Sequence, residues 1–258
     1  MSGSIALALL GGGGTAATAD SATAVTVLRR ASASGAEAKG VAATAKEAAV
    51  KLAVARFTEG ISRARNVETA LRDPRVSAVL LPALGLPDAV DMPGLAVRAL
   101  TSDPTDAKSV ASRLTDTRWK AASTTLNLSA RGMDGLRDPA VQKKLIDGYT
   151  AYQWRVSKNN EASGVADALY FQKRMATGKA PTVYEVLGDA VLRRVVTGAL
   201  GLPDALAIQE VTTQARAVTS RIDLTKLTDA RQAAKLSERY VMSANAAGNT
   251  SSLLNLFG

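Results

Sequence analysis

Two groups of charged residues in this 258-residue chain are of the types that chemistry uses: the carboxylates Asp134, Asp138 and Asp147, which fall at turn and capping positions rather than at ligand spacing, and the row Glu185, Asp189, Arg193. Clustered carboxylates can hold a divalent cation or act as general acid and base. Asp134, however, stands before Gly135 as a turn signal, and the alternating acidic ligands and closing glutamate of a calcium loop are missing. Glu185, Asp189 and Arg193 follow one another at intervals of four, which predicts an ion-pair row on one helix face. Gly11–Gly14 suggests a phosphate-binding loop, but Thr15-Ala16-Ala17 follows, where such a loop needs a lysine. The chain has no cysteine and no histidine. Disulfides are therefore impossible, and the usual zinc, thiolate, imidazole-base and haem-ligand chemistries lose their common residues. No GxSxG elbow or metalloprotease motif is present. The expectation is a non-enzymatic protein with no catalytic, cofactor-binding or metal-binding residues.

The net charge of +9 favours acidic partners. The basic doublets Arg29-Arg30, Lys143-Lys144, Lys173-Arg174 and Arg193-Arg194 are scattered, without interleaved aromatics. This pattern predicts solvated helix faces and disfavours a nucleic-acid footprint, although a basic nucleic-acid-binding helical protein is the alternative reading. The apolar run Ile5–Leu10 is too short for a bilayer, which needs roughly 20 apolar residues. No Lys or Arg precedes Arg29, so a Sec signal is not expected.

The elements around these residues read as helices. Alanine supplies much of the apolar content while aromatics make up only 4% of the chain, which favours closely spaced helices. The segment ALGLPDA occurs twice, at Ala83–Ala89 and Ala199–Ala205, each followed by LTD-x-R, at Leu114–Arg118 and Leu227–Arg231. The same order at nearly the same separation points to an internal duplication. In both copies a left-handed glycine (Gly85, Gly201) can close a helix, a leucine can fold back on the last turn and a proline prevents continuation. Asp88 or Asp91 can start the next helix. Thr115-Asp116 and Thr228-Asp229 are N-cap residues, and Arg118 and Arg231 fall in the first turn, within reach of a carboxylate from a neighbouring helix. Asp73-Pro74 and Asp138-Pro139 are further helix starts, Thr182 can cap another, and Val183 to Leu200 reads as one helix. Val41, Ala45, Ala48, Leu52, Ala55 and Phe57 lie near one apolar face.

The expected architecture is all-α: a helical bundle built from two related helical halves, with flexible N- and C-terminal tails. Residues 1–20 read as the N-terminal tail, 21–242 as the helical body with halves at about 71–135 and 136–242, and 243–258 as the C-terminal tail. Both tails carry apolar tips. Ile5, Leu7, Leu10, Leu253, Leu254, Leu256 and Phe257 are therefore the candidate partner contacts, since burying such a side chain is worth ~1.5–3 kcal/mol. Their partners would be other proteins, including further copies of this chain.

Ala83-Leu84-Gly85-Leu86, Arg113-Leu114-Thr115-Asp116-Thr117-Arg118-Trp119 and Gly201-Leu202-Pro203 through Tyr240 resemble an alphaproteobacterial family of unknown function, number twelve-seventeen among domains of that kind. The resemblance covers roughly 71–242. Leu84 stands where the family pattern has an aromatic, and the N-terminal part is unusually alanine-rich. Genes of the family often accompany flagellar genes, so the resemblance implies a bacterial structural or assembly protein, associated with the flagellum or its secretion machinery. It implies no active site, and leaves flagellum and cytoplasm as alternative locations.

Overall fold

The computed structural model of the protein describes residues 19–254, with side chains through residue 246. Among the described residues every regular element is helical. The chain divides into two compact units, one formed by Ala38–Trp154 and the other by 19–37 with 155–254. The boundary between them at Trp154 lies inside a helix, whereas the repeated motifs suggest a division near 135–136.

The first unit contains α3 (Ala48–Arg63), α4 (Val67–Arg72), α5 (Pro74–Ala83), α6 (Pro93–Leu100), α7 (Val110–Arg113), α8 (Arg118–Leu126), α9 (Leu128–Arg131) and α10 (Met133–Arg137). Helices α2 (Ala36–Thr44) and α11 (Pro139–Glu161) run from one unit into the other. Helix α5 lies on α3 and α4, α6 on α4 and α8. The core they enclose includes Phe57, Ile61, Leu71, Leu80, Leu81, Leu100, Leu126 and Leu136. Asp73 caps α5 by accepting the Arg75 N–H at 2.8 Å, with Pro74 at the first helical position. Asp138 does the same for α11, accepting from Ala140 and Val141. Both aspartate–proline starts thus behave as the sequence predicts, because proline lacks the N–H that a helix start leaves unbonded. Leu52 departs from its expected place on the buried stripe: α3 begins only at Ala48, and the face it buries runs through Val50, Phe57, Gly60 and Ile61. Leu52 is exposed.

The second unit contains α1 (Ser21–Ser32), α12 (Val165–Met175), α13 (Val183–Gly188), α14 (Ala190–Ala199), α15 (Val211–Thr219) and α16 (Ala230–Leu254). Asp20 caps α1 through the Thr23 N–H. Helix α16 is the spine of this unit and packs on α1, α12 and α14. It does not stop at Met242, where the sequence pattern ends the body. Alanines 244, 246 and 247 favour continuation, and the buried Asn245 side chain donates to the Ser163 carbonyl at 2.9 Å.

The expected single helix from Val183 to Leu200 is two helices, divided at Asp189. Asp189 is buried and caps α14, accepting from the Val191 and Leu192 N–H groups at 2.8 and 3.1 Å. Glu185 closes a capping box with Thr182 at the start of α13. Glu185 and Asp189 are therefore committed to two helix starts, and the predicted ion-pair row with Arg193 does not form.

Candidate functional site

The repeated motifs give each unit a corner with the same local construction. A six-residue helix (α4 or α13), an aspartate and a ten-residue helix (α5 or α14) lead into the left-handed glycine, with φ of +78° at Gly85 and +62° at Gly201. Each glycine belongs to a complete Schellman cap. Leu86 N–H donates to Leu81 and Gly85 N–H to Pro82 in the first copy; Leu202 donates to Thr197 and Gly201 to Gly198 in the second. In both copies the proline then opens a 3₁₀ turn, and the six-residue helix packs on the helix that follows it, α4 on α6 and α13 on α15. Neither Asp88 nor Asp91 caps α6, which starts at Pro93 after Met92.

Beyond this shared frame the corners differ. In the first unit α8 packs on α6 and carries Arg118 back over the turn. The Arg118 guanidinium donates to the Gly85 carbonyl through Nη1 at 2.7 Å and forks onto Asp116 through Nε and Nη2 at 3.0 and 2.7 Å. Its Nη2 stands 3.9 Å from Asp88. Arg118 is 8% exposed. The arginine thus locks the second motif of the copy onto the first, a role for which its planar fork suits it better than lysine.

In the second unit Asp229 still caps α16, accepting from the Arg231 and Gln232 N–H groups. The Arg231 side chain is exposed, and among the described residues it forms no bond to Gly201 or Asp204. The turn is held from the other side instead. Gln214, buried on α15, donates through Nε2 to the carbonyls of Gln209 at 2.7 Å and Ala207 at 3.3 Å. Nine residues separate Gly201 from the start of α15, against seven between Gly85 and the start of α6. The longer turn, fixed at its end by Gln214, presents Ile208 with 90% of its surface exposed, beside Val211 at 48%. Of the residues from Gly201 to Val211 only Leu206 is buried.

A polar link ties α16 and α14 to α12. Asp167 on α12 accepts from the Tyr240 hydroxyl at 3.1 Å and from Arg194 of α14 at 2.9 Å. Burial raises the Tyr240 hydroxyl pKa, and the neighbouring Asp167 charge raises it further. The buried phenol therefore stays protonated as a donor. On the first unit, an open hollow of about 760 Å³ is lined by Glu68, Thr69, Arg72, Asp73, Pro74 and Arg75. Its charges pair with one another: Arg72 with Glu68 at 2.9 Å and Arg75 with Asp73 at 2.7 Å.

The candidate contacts Ile5, Leu7, Leu10, Leu256 and Phe257 lie outside the described residues. Leu253 and Leu254 belong to the last turn of α16, and their side chains lie outside the described set. The exposed apolar residues of the second corner escape sequence reading, because Ala-Leu-Ala-Ile continues an apolar string that looks like core. The longer turn leaves no signal in the motif spacing, since the second copy is shorter from proline to aspartate, 203 to 229 against 87 to 116. Among the described residues no group of acidic side chains could hold a metal ion, and no helix is long and apolar enough to cross a membrane.

A crystal structure of an Agrobacterium tumefaciens protein shares the fold, with a TM-score of 0.69 at 22% identity over 86% of this chain and 93% of the other. No curated protein matches. The family model described as protein of unknown function (DUF1217) matches residues 83–232, from the first residue of the first ALGLPDA to just beyond Arg231. Those boundaries take in both repeated motifs and more than half of the chain, and the protein belongs to this family.

Proposed function

We propose that the protein is a non-enzymatic structural or assembly protein that acts through protein–protein contacts and is associated with the bacterial flagellum. The observation that carries the contact reading is Ile208, 90% exposed on a turn that a buried glutamine holds in place. A large apolar side chain on an ordered turn meets a partner without first having to be ordered, and its burial is worth ~1.5–3 kcal/mol. Val211, three residues on, widens the same surface. The flagellar setting is supported by the genomic company of the family, and by nothing in the geometry.

Deleting the gene from its native bacterium tests the setting, with swimming motility and electron microscopy of flagella as readouts. Altered motility or flagellar structure is expected. Normal filaments and normal swimming would remove the flagellar part of the proposal.

A further inference from the structure

From the unequal wiring of the two corners we infer that the second corner is completed by another copy of this chain, whose Arg231 docks on the Gly201–Asp204 turn. This rests on the protein–protein reading above. The first unit shows the finished contact: Arg118 bonded to the carbonyl of the left-handed glycine, forked onto Asp116 and 3.9 Å from Asp88. The second unit holds the same parts unjoined. Arg231, Gly201 and Asp204 are all exposed. Among the described residues the Gly201 carbonyl receives no hydrogen bond, and neither Asp204 nor the Arg231 guanidinium has an ion-pair partner.

They stay apart for a structural reason. In the first unit α8 packs on α6, which brings its first turn over the glycine. In the second, α16 packs on α1, α12 and α14, and Arg231 in its first turn is exposed. Within one copy Arg231 bonds to neither Gly201 nor Asp204, whereas a second copy can supply the missing half to each. Charge favours the match, since Arg231 is basic and Asp204 is acidic. Ile208 and Val211 flank the turn and supply the apolar area that a charged contact alone lacks. A second copy is favoured over nucleic acid because the turn offers a carboxylate, which repels phosphate, and an isoleucine, which suits a protein surface.

Sedimentation equilibrium of the purified full-length chain over a concentration series, at low and high salt, tests this. The wild type should self-associate, more weakly at high salt. Arg231→Ala and Asp204→Ala should each weaken self-association by about 10- to 100-fold, as loss of a charge-assisted contact predicts, and Ile208→Ser should also weaken it. Arg231→Lys should recover part of the loss, because lysine keeps the charge without the fork. The double exchange Arg231→Asp with Asp204→Arg should restore association that either single change abolishes. Circular dichroism melting of each variant keeps a folding defect distinct from a docking defect. A wild type that sediments as a monomer throughout, or an Arg231→Ala variant with an unchanged association constant, overturns the inference. If the monomeric outcome accompanies disturbed flagella in the deletion strain, self-docking fails and the assembly reading stands; if self-association is intact and flagella are normal, self-docking stands and the flagellar setting fails.

Discussion

Arg118 and Arg231 hold the same place in the repeated LTD-x-R motif, and only Arg118 is buried. The first corner turns its arginine inward and bonds it to Gly85 and Asp116 of the same unit. The second leaves its arginine in solvent, lengthens the turn by two residues and anchors it with Gln214, so that Ile208 faces outward. One set of residue types therefore gives a closed structural joint in one unit and an open surface in the other. The difference arises from what each following helix packs against. The Schellman cap and the aspartate helix start are local and recur in both copies; the arginine's partner is tertiary and does not.

Truncating the two arginines should separate the corners most strongly. Arg118→Ala should destabilise the protein by about 2–4 kcal/mol, since it strips the Gly85 carbonyl of its donor and leaves Asp116 without its cation in a partly buried place. Arg231→Ala should change folding stability by less than about 0.5 kcal/mol, because the side chain is exposed and alanine keeps the backbone N–H that Asp229 caps. Chemical denaturation at a protein concentration below self-association checks both, and equal costs would end the distinction between the corners.

Gln214→Ala comes next, with an expected cost of about 1–3 kcal/mol from two backbone carbonyls losing their buried donor. Hydrogen exchange should quicken at residues 206–210 and leave 86–92 unchanged. Gly85→Ala and Gly201→Ala should each cost about 1 kcal/mol, because both glycines sit at positive φ. Here equality is the expected result, and unequal losses would show that the caps are less alike than their backbone bonds suggest.

The smallest effect concerns pH. A phenol whose folded pKa is raised keeps its full contribution below the unfolded value of 10.0 and loses it as pH rises beyond that. Stability of the second unit should therefore fall on the alkaline side of pH 10, and Tyr240→Phe should remove the phenol's share of that fall. An unchanged alkaline profile in the variant would mean that Tyr240 is not the group responsible.

Much of the fold is legible in the sequence wherever a residue acts on its own backbone. Gly85, Gly201, Asp73-Pro74, Asp138-Pro139 and Thr182 all do what their types predict, because capping is decided within a few residues. Legibility ends at Asp189, where four-residue spacing resembles an ion-pair row. The same carboxylate serves two N–H groups at a helix start, and periodicity cannot tell these uses apart. It ends also along Ala45, Ala48, Leu52 and Ala55, which belong to the apolar period but not to the buried face. The candidate surface is legible only in part. Ala-Leu-Ala-Ile carries the signature of core, and its exposure depends on the glutamine bonded from α15 and on what α15 leaves uncovered.

An all-helical chain, the positions of most helix starts and stops, a repeated corner and the absence of cysteine and histidine chemistry are all dictated by the residues in order. These follow from properties that a residue carries into any context: φ preference, a missing N–H, a short side chain that bonds its own backbone. Which copy of the corner is closed is settled at the level of helix packing. An arginine's guanidinium lies several bonds from its own backbone, so its partner is set by the helices around it, and α6 and α8 bring that partner to Arg118 while the packing of α16 withholds it from Arg231.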